Sequence, residues 1–309
     1  MKIVVTPRGF YKCGLDNVKI IEAAGLSVAY NDTGNAYTKE EFYEKTGDAD
    51  GVIVGVELVD RAYIDSHPKL RAVVKFGVGT DNIDVEYCRE KGIFVGRTVG
   101  SNARSVAETA ISFLFADSKN LYESISDTRA SGWSKLTGYE LEGKTIGIAG
   151  FGAVGKKVAQ MAFGLGMQVL AYDPYAMDPE AVKAYNVETV DFQALLKRSD
   201  FVSLHMPLTP ETADLITLKE LKAMKPNAVL INTARGGIVN EKDLFTALTE
   251  KVIRAAYFDV LTSEPPRKDE PLLGLPNFYL TPHIASRSQE AEKKTAKMAT
   301  EIMIKALKG

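Results

Sequence analysis

The chain has 309 residues, 45% of them hydrophobic and 25% charged, an ordinary balance for a folded globular protein. Lys and Arg number 38 against 40 Asp and Glu, a formal charge of −2, so the basic excess of a protein that grips nucleic-acid phosphates is missing. No uncharged apolar run reaches the roughly 18 residues that cross a bilayer, and two cysteines, Cys13 and Cys88, argue against a disulfide scaffold or any metal site. The chain therefore reads as soluble and cytoplasmic, without membrane or nucleic-acid partners. Its length exceeds what one hydrophobic core organises, so two domains are expected.

The start, Met1-Lys2-Ile3-Val4-Val5-Thr6, lacks the apolar stretch of a signal peptide and reads as a buried strand. Valine- and isoleucine-rich runs at 2–6, 26–30, 51–54, 72–76 and 93–95 predict strands. Amphipathic patterns at 16–24, 39–45, 60–66 and 85–91 predict helices between them. Such alternation predicts a parallel sheet covered on both faces. A single long helix is expected over 105–130. Alternation resumes at Lys144, with strands predicted at 145–149, 168–172, 201–204, 228–232, 253–259 and 278–281. Asn240 reads as a helix N-cap with Asp243 in the first turn, and 288–308 as a charged amphipathic helix. The reading is α/β, with two doubly wound parallel sheets.

Gly150-Phe151-Gly152-Ala153-Val154-Gly155 follows the predicted strand 145–149 and opens the helix 156–163. In that setting the first glycine permits a tight turn, the second lets backbone approach a pyrophosphate, and the third lets helix pack on strand. Free N–H groups and the helix dipole then favour phosphate. The next strand ends at Asp173, whose carboxylate suits ribose hydroxyls and repels a 2′-phosphate. The pattern predicts a dinucleotide site that prefers NAD to NADP.

Ligands of open α/β sheets sit beyond the carboxyl ends of the strands, and three ionisable residues fall there. Arg235 follows strand 228–232, Glu264 follows 253–259 and His283 follows 278–281. Histidine exchanges a proton near neutrality, a neighbouring carboxylate favours its charged form and fixes its tautomer, and arginine forks onto a carboxylate. Together they suit proton-coupled reduction of a 2-oxo acid. Of the other histidines, His67 lies in a surface-like stretch before a proline and reads as idle. His205 ends a strand and reads as shaping a cofactor loop.

These residues in this order resemble the D-isomer-specific 2-hydroxyacid dehydrogenases, and within them the catalytic portion of the D-3-phosphoglycerate enzymes. The likeness covers nearly the whole chain through "FGVGTDNID" at 76–84, "NARSVAE" at 102–108, "GKTIGIAGFGAVG" at 143–155, "HMPLTPET" at 205–212, "INTARGGIVNE" at 231–241, "FDVLTSEP" at 258–265 and "TPHIAS" at 281–286. It implies a Rossmann NAD-binding domain, 100–283, inserted into a flavodoxin-like substrate domain of 1–99 plus 284–309, with the active site in the cleft between. It implies Arg235 as carboxylate binder, Glu264 as histidine partner and His283 as acid/base. Phe76, Gly77, Val78 and Gly79 match the loop that cradles the substrate carboxylate. Ala153 and Val154 match pyrophosphate positions. His205 and Pro207 match a cofactor loop, and Thr212, Thr233, Ala234, Arg235 and Asp259 match nicotinamide-side contacts. A homodimer through the cofactor domain is implied, embraced by the segment 105–133.

Two departures bear on substrate and control. The chain ends at Gly309, so feedback through the long enzymes' serine-binding C-terminal domain is not expected. Where many phosphoglycerate enzymes place an arginine for the phosphate, this chain reads Val54-Gly55-Val56-Glu57. A glutamate facing the distal pocket opposes a phosphate dianion, with Arg8, Lys75 and Arg97 as the cations that would compensate. Phosphoglycerate and a glyoxylate- or hydroxypyruvate-type 2-oxo acid are thus both carried as substrates. Glu264 argues against a formate dehydrogenase, which places glutamine beside its histidine. A non-catalytic NAD-sensing protein of the same fold shares much of the triad, but no appended peptide-binding tail or basic tract accompanies it here. A vestigial α/β protein would tolerate loss of one of Arg235, Glu264 and His283, and all three are present.

Overall fold

Short runs of β-branched residues, bounded by polar turns, give strands rather than helices. In the computed structural model, which describes Met1–Gly309, the runs KIVV (β1, Lys2–Val5), SVAY (β2, Ser27–Tyr30), GVIV (β3, Gly51–Val54), AVVK (β4, Ala72–Lys75) and FVGR (β5, Phe94–Arg97) form one sheet. Its order is β2-β1-β3-β4-β5, and every neighbouring pair is parallel. The period of two sends alternate side chains to opposite faces. Val4, Val52 and Val73 enter one buried cluster with Phe42 and Tyr63. Ile3, Ile53 and Val74 enter another with Phe10 and Ile21.

The second cluster is completed by the C-terminal helix Gln289–Lys308, through Ala296, Ala299, Met303 and Leu307. Ser288 caps that helix by accepting the Ala291 N–H at 3.1 Å. Met303 lies so close to the sheet that a Cβ on Gly51 would sit 2.5 Å from its sulfur. The helix thus belongs to the first of two units, Met1–Asn102 with Ser286–Gly309; the second is Ala103–Ala285.

The second unit repeats the logic with seven strands: Thr145–Ala149 (β6), Gln168–Tyr172 (β7), Val187–Thr189 (β8), Phe201–Leu204 (β9), Val229–Asn232 (β10), Ala255–Phe258 (β11) and Phe278–Leu280 (β12). The order is β12-β11-β10-β9-β6-β7-β8, all parallel. Ile146, Ile148, Val229 and Ile231 pack on one face, and Ala149, Leu204 and Leu230 on the other. Because β6 sits between β7 and β9, the winding reverses there, and the carboxyl end of β6 opens at a switch point of the sheet.

Three local expectations are corrected. The helix predicted over 105–130 is two helices, Ala103–Ser118 and Leu121–Arg129. The chain returning at Tyr139 donates its N–H to the Ser118 carbonyl at 2.9 Å, and Asn120 takes a left-handed φ of +48°, which a short polar side chain tolerates. Strand β8 escaped the sequence reading because only Val187 of its three residues is buried. A helix at Arg8–Cys13 was also missed, being under two turns long. No helix is long and apolar enough to cross a membrane.

Candidate active site

The glycine loop is shaped by close approaches that a side chain would block. Gly150 leaves β6 at φ +97°, and its N–H reaches the Tyr172 carbonyl at the end of β7 at 2.8 Å. A Cβ there would lie 2.6 Å from the His205 carbonyl oxygen, and one on Gly155 would lie 2.1 Å from that of Gly150. Gly152 is different: a Cβ on it would meet nothing within 4 Å. It caps the helix Ala153–Gly164 without a side chain and without an acid in the first turn. The first N–H groups, at Ala153, Val154 and Gly155, have no intrahelical acceptor, and the space beside Gly152 is open, which suits an anion.

Beside them Asp173 follows β7. Its Oδ2 accepts the Phe151 N–H at 2.7 Å and its Oδ1 the Tyr175 N–H at 2.9 Å. The carboxylate is thereby locked to the loop it adjoins. His205 follows β9, with its N–H on the Ala149 carbonyl at 2.7 Å and its Nε2 2.8 Å from the Ser203 hydroxyl. Burial pushes its pKa down to about 3, so the ring is neutral under ordinary conditions. Its Nδ1 is buried with no protein partner, as is the hydroxyl of Thr233. Thr233 lies one residue past Asn232, and His205 one past Leu204, which pair across the sheet. Two orphaned buried polar atoms at neighbouring strand ends are what a polar ligand would satisfy. Pro207 is exposed, and its carbonyl accepts the Thr212 hydroxyl at 2.7 Å, while Thr212 accepts the Thr209 N–H. The hydroxyl of Thr212 thus braces its own loop.

Arg235 is set by the strand before it. Asn232, fully buried, accepts the Ala234 N–H at 3.0 Å and donates to the Arg235 carbonyl at 2.9 Å. This turn presses Gly236 against the next loop, where a Cβ would lie 2.1 Å from the Leu261 carbonyl carbon. The Leu261 N–H in turn donates to Glu264 Oε1 at 3.0 Å, and Thr262 is pinned to Glu241 through both its N–H and hydroxyl. Arg235 also donates from Nη1 to the Ala234 carbonyl at 2.7 Å.

Glu264 Oε2 lies 2.6 Å from His283 Nδ1 across 19 residues of chain. A carboxylate only accepts, so Nδ1 carries the hydrogen and Nε2 is left for proton exchange. His283 holds a left-handed φ of +52°, an uncommon state for a residue with a side chain. Asp259 holds that turn. Its carbonyl accepts the His283 N–H at 2.9 Å, and its buried carboxylate takes the Thr281 hydroxyl and the Ile284 and Ala285 N–H groups. Sequence reading named Asp259 for the cofactor side and missed this clamp; only the register of β11 beside β12 reveals it.

Phe76, Gly77, Val78 and Gly79 lie beyond β4 in the first unit, where the Thr98 N–H and hydroxyl both bond the Gly77 carbonyl. His67 is corrected: it is buried, stacked 3.9 Å from the Tyr63 ring, with Nδ1 2.7 Å from the Tyr63 carbonyl and Nε2 2.9 Å from Thr46 Oγ1. It ends the helix Arg61–Ser66 as its C-cap, so the stretch that resembles a surface turn anchors that helix to the core.

Residues 111–285 match the family model of the D-isomer specific 2-hydroxyacid dehydrogenase NAD binding domain. The chain is 41% identical over 300 residues to a D-3-phosphoglycerate dehydrogenase of Methanocaldococcus jannaschii, covering 95% of this chain and 56% of that one. It is 40% identical over 276 residues to a glyoxylate reductase of Thermococcus litoralis, covering 86% and 83%. The solved TT0316 protein of Thermus thermophilus superposes with a TM-score of 0.86 at 31% identity, over 100% of this chain and 97% of that one. With a glycine loop, a carboxylate at the next strand end and two unsatisfied polar atoms beside them, the second unit carries the NAD-binding domain of its relatives, and the chain belongs to the D-isomer specific 2-hydroxyacid dehydrogenases.

Proposed function

We propose that the protein is an NAD-dependent oxidoreductase that interconverts a D-2-hydroxy acid and the corresponding 2-oxo acid. The observation that carries this reading is the 2.6 Å contact between Glu264 and His283, on a loop packed against the turn of Arg235. NAD(H), when bound, accepts or supplies the hydride. Ala153, Val154 and Gly155 would hold its pyrophosphate through backbone N–H groups and Asp173 its ribose, with Gly150 and Gly152 giving the loop its path. His205, Pro207, Thr212, Thr233, Ala234, Arg235 and Asp259 would line the nicotinamide side.

In the reductive direction His283 donates a proton from Nε2 to the substrate's carbonyl oxygen, and Glu264 balances the ring's charge and holds its plane. In the oxidative direction the same nitrogen takes the proton back. Arg235 grips the substrate carboxylate with its planar fork. The first unit then serves as substrate domain and the second as cofactor domain. Phosphoglycerate and glyoxylate, named for the two kinds of relative, one phosphorylated and one not, both carry a carboxylate beside the carbon that would exchange the hydride.

We further infer a homodimer. The segment 121–136 exposes Leu121, Tyr122, Ile125 and Leu136, and leaves Trp133 80% exposed, a concentration of apolar surface that a second copy would cover. Free Cys13 and Cys88 suit the reducing cytoplasm. The reading is tested by following NADH absorbance with a panel of 2-oxo acids. Turnover with at least one of them, and none with simple ketones lacking the carboxylate, is expected; inactivity toward the whole panel would refute it.

A further inference from the structure

Asp173 is the first of two carboxylates on the loop that leaves β7. From it the chain runs through Pro174-Tyr175-Ala176-Met177 to Asp178, the N-cap of the helix Pro179–Ala184. Both carboxylates are fixed by backbone. Asp173 accepts the Phe151 and Tyr175 N–H groups. Asp178 Oδ1 accepts the N–H groups of Glu180 at 3.1 Å and Ala181 at 3.4 Å. Between them Met177 packs against the core cluster that holds Ile146 and Val158.

The other oxygen of Asp178 takes a lysine from the glycine-loop helix. Lys156 follows Gly155, and its N–H bonds the Gly152 carbonyl at 3.0 Å, so it stands on the first turn of that helix. Its ammonium lies 3.1 Å from Asp178 Oδ2. That ammonium, with the two cap N–H groups, holds the Asp178 carboxyl below the usual carboxylate range, so it is charged at neutral pH. The neighbouring Lys157 turns away, its ammonium 3.1 Å from Gln160 on its own helix. Lys156 is thus the cation that the first turn presents to the loop of Asp173. Both members of the pair are partly exposed, so the pair itself is weak. Its consequence is that a fixed carboxylate cancels the charge of the lysine at close range.

We propose that Asp178 is a second determinant of cofactor choice, acting through Lys156: it withholds the ammonium that would otherwise accept the 2′-phosphate of NADP. The proposal rests on the placing of the cofactor's ribose at Asp173 and adds to what that carboxylate does alone. A ribose held by Asp173 would bring a 2′-phosphate to this set of charges. Asp173 and Asp178 together carry −2 and Lys156 carries +1, so a phosphate dianion joins a set that is already net negative. Removing the charge of Asp178 brings the set to zero and leaves the ammonium free to turn to the phosphate. NADH carries no charge at that hydroxyl and is indifferent to the change.

Binding is measured on the full chain by fluorescence titration with NADH and with NADPH, beside the thermal midpoint in each cofactor. Asp178→Asn keeps a side-chain oxygen for the Glu180 and Ala181 N–H groups, so the cap survives while the charge goes. That variant should bind NADPH about fivefold tighter or more at low salt, with the gain shrinking as added salt screens it. Its NADH affinity should stay close to wild type. Asp178→Ser, an equally good cap, should behave alike. Adding Lys156→Met to Asp178→Asn should remove the gain. An unmoved NADPH affinity in the folded Asp178 variants would overturn the proposal. A gain that survives Lys156→Met would overturn it too, leaving simple repulsion by Asp178 in place of a withheld lysine. Failure of the wild type to bind either cofactor would instead remove the NAD-binding reading, and this inference with it.

Discussion

His283 illustrates how a single residue's setting is assembled from backbone. Its left-handed φ is maintained by four bonds to Asp259, none of which involves the imidazole itself. The ring is left to one partner, Glu264. Residue types and their places after strands made this pair legible in the sequence. The clamp was not, because a buried aspartate bonded to backbone N–H groups has no signature apart from the strand register that delivers them. His67 shows the converse failure: a histidine before proline resembles a surface turn, yet here it stacks on Tyr63 inside the core. His205 carries a prediction at this scale. Burial holds its pKa at about 3 against an ordinary 6.5, so between those values the unfolded chain binds a proton that the folded one refuses. Folding stability should therefore rise with pH across that window and be lost as pH falls through it, by up to about 1.4 kcal/mol per pH unit from this residue. Urea unfolding at about pH 5 and about pH 7 should show that component removed in His205→Asn. An unchanged difference would contradict it.

At the level of elements, the strands were read closely because short β-branched runs between turn residues leave little choice. β6, β7 and β9 begin and end where the pattern changes. Edges and interruptions were harder. β8 has one buried residue to announce it, and the break after Ser118 depends on Tyr139 arriving from 21 residues away to take a helix carbonyl, which no local pattern encodes. The Arg235 turn and the Glu264 loop are joined in the same non-local way. Gly236 lets them touch, and a methyl group there would collide with the Leu261 backbone. Gly236→Ala is thus expected to cost about 2 kcal/mol or more of stability, by overpacking against backbone that cannot yield. It should also lower kcat/KM by displacing both loops. Differential scanning calorimetry and steady-state kinetics check the pair of effects; a variant as stable and active as wild type would show that the contact is dispensable.

For the whole molecule, alternation of strand and helix was sufficient to predict two doubly wound parallel sheets, because parallel strands need crossovers and crossovers cover both faces. The C-terminal helix illustrates what alternation cannot say. Its amphipathic pattern is plain, but its place on the first sheet follows from Met303 fitting the gap over Gly51. The second unit presents the glycine loop and Asp173 together, so cofactor binding should stabilise the fold by mass action. At free NADH about 100-fold above its Kd, the unfolding free energy should rise by about 2.7 kcal/mol. NADPH at the same concentration should give less, and Asp173→Ala should narrow the gap between the two cofactors. Equal shifts in wild type would contradict the role of that carboxylate.

One comparison bears on the chemistry most directly. His283→Ala removes the nitrogen assigned to proton exchange while leaving the glycine loop, Asp173 and the Arg235 turn intact. Fluorescence titration should show NADH bound with nearly wild-type affinity. NADH oxidation by the best 2-oxo acid should fall by at least about a hundredfold, the usual worth of a positioned acid. Turnover persisting at the wild-type rate in that variant would mean the proton comes from elsewhere.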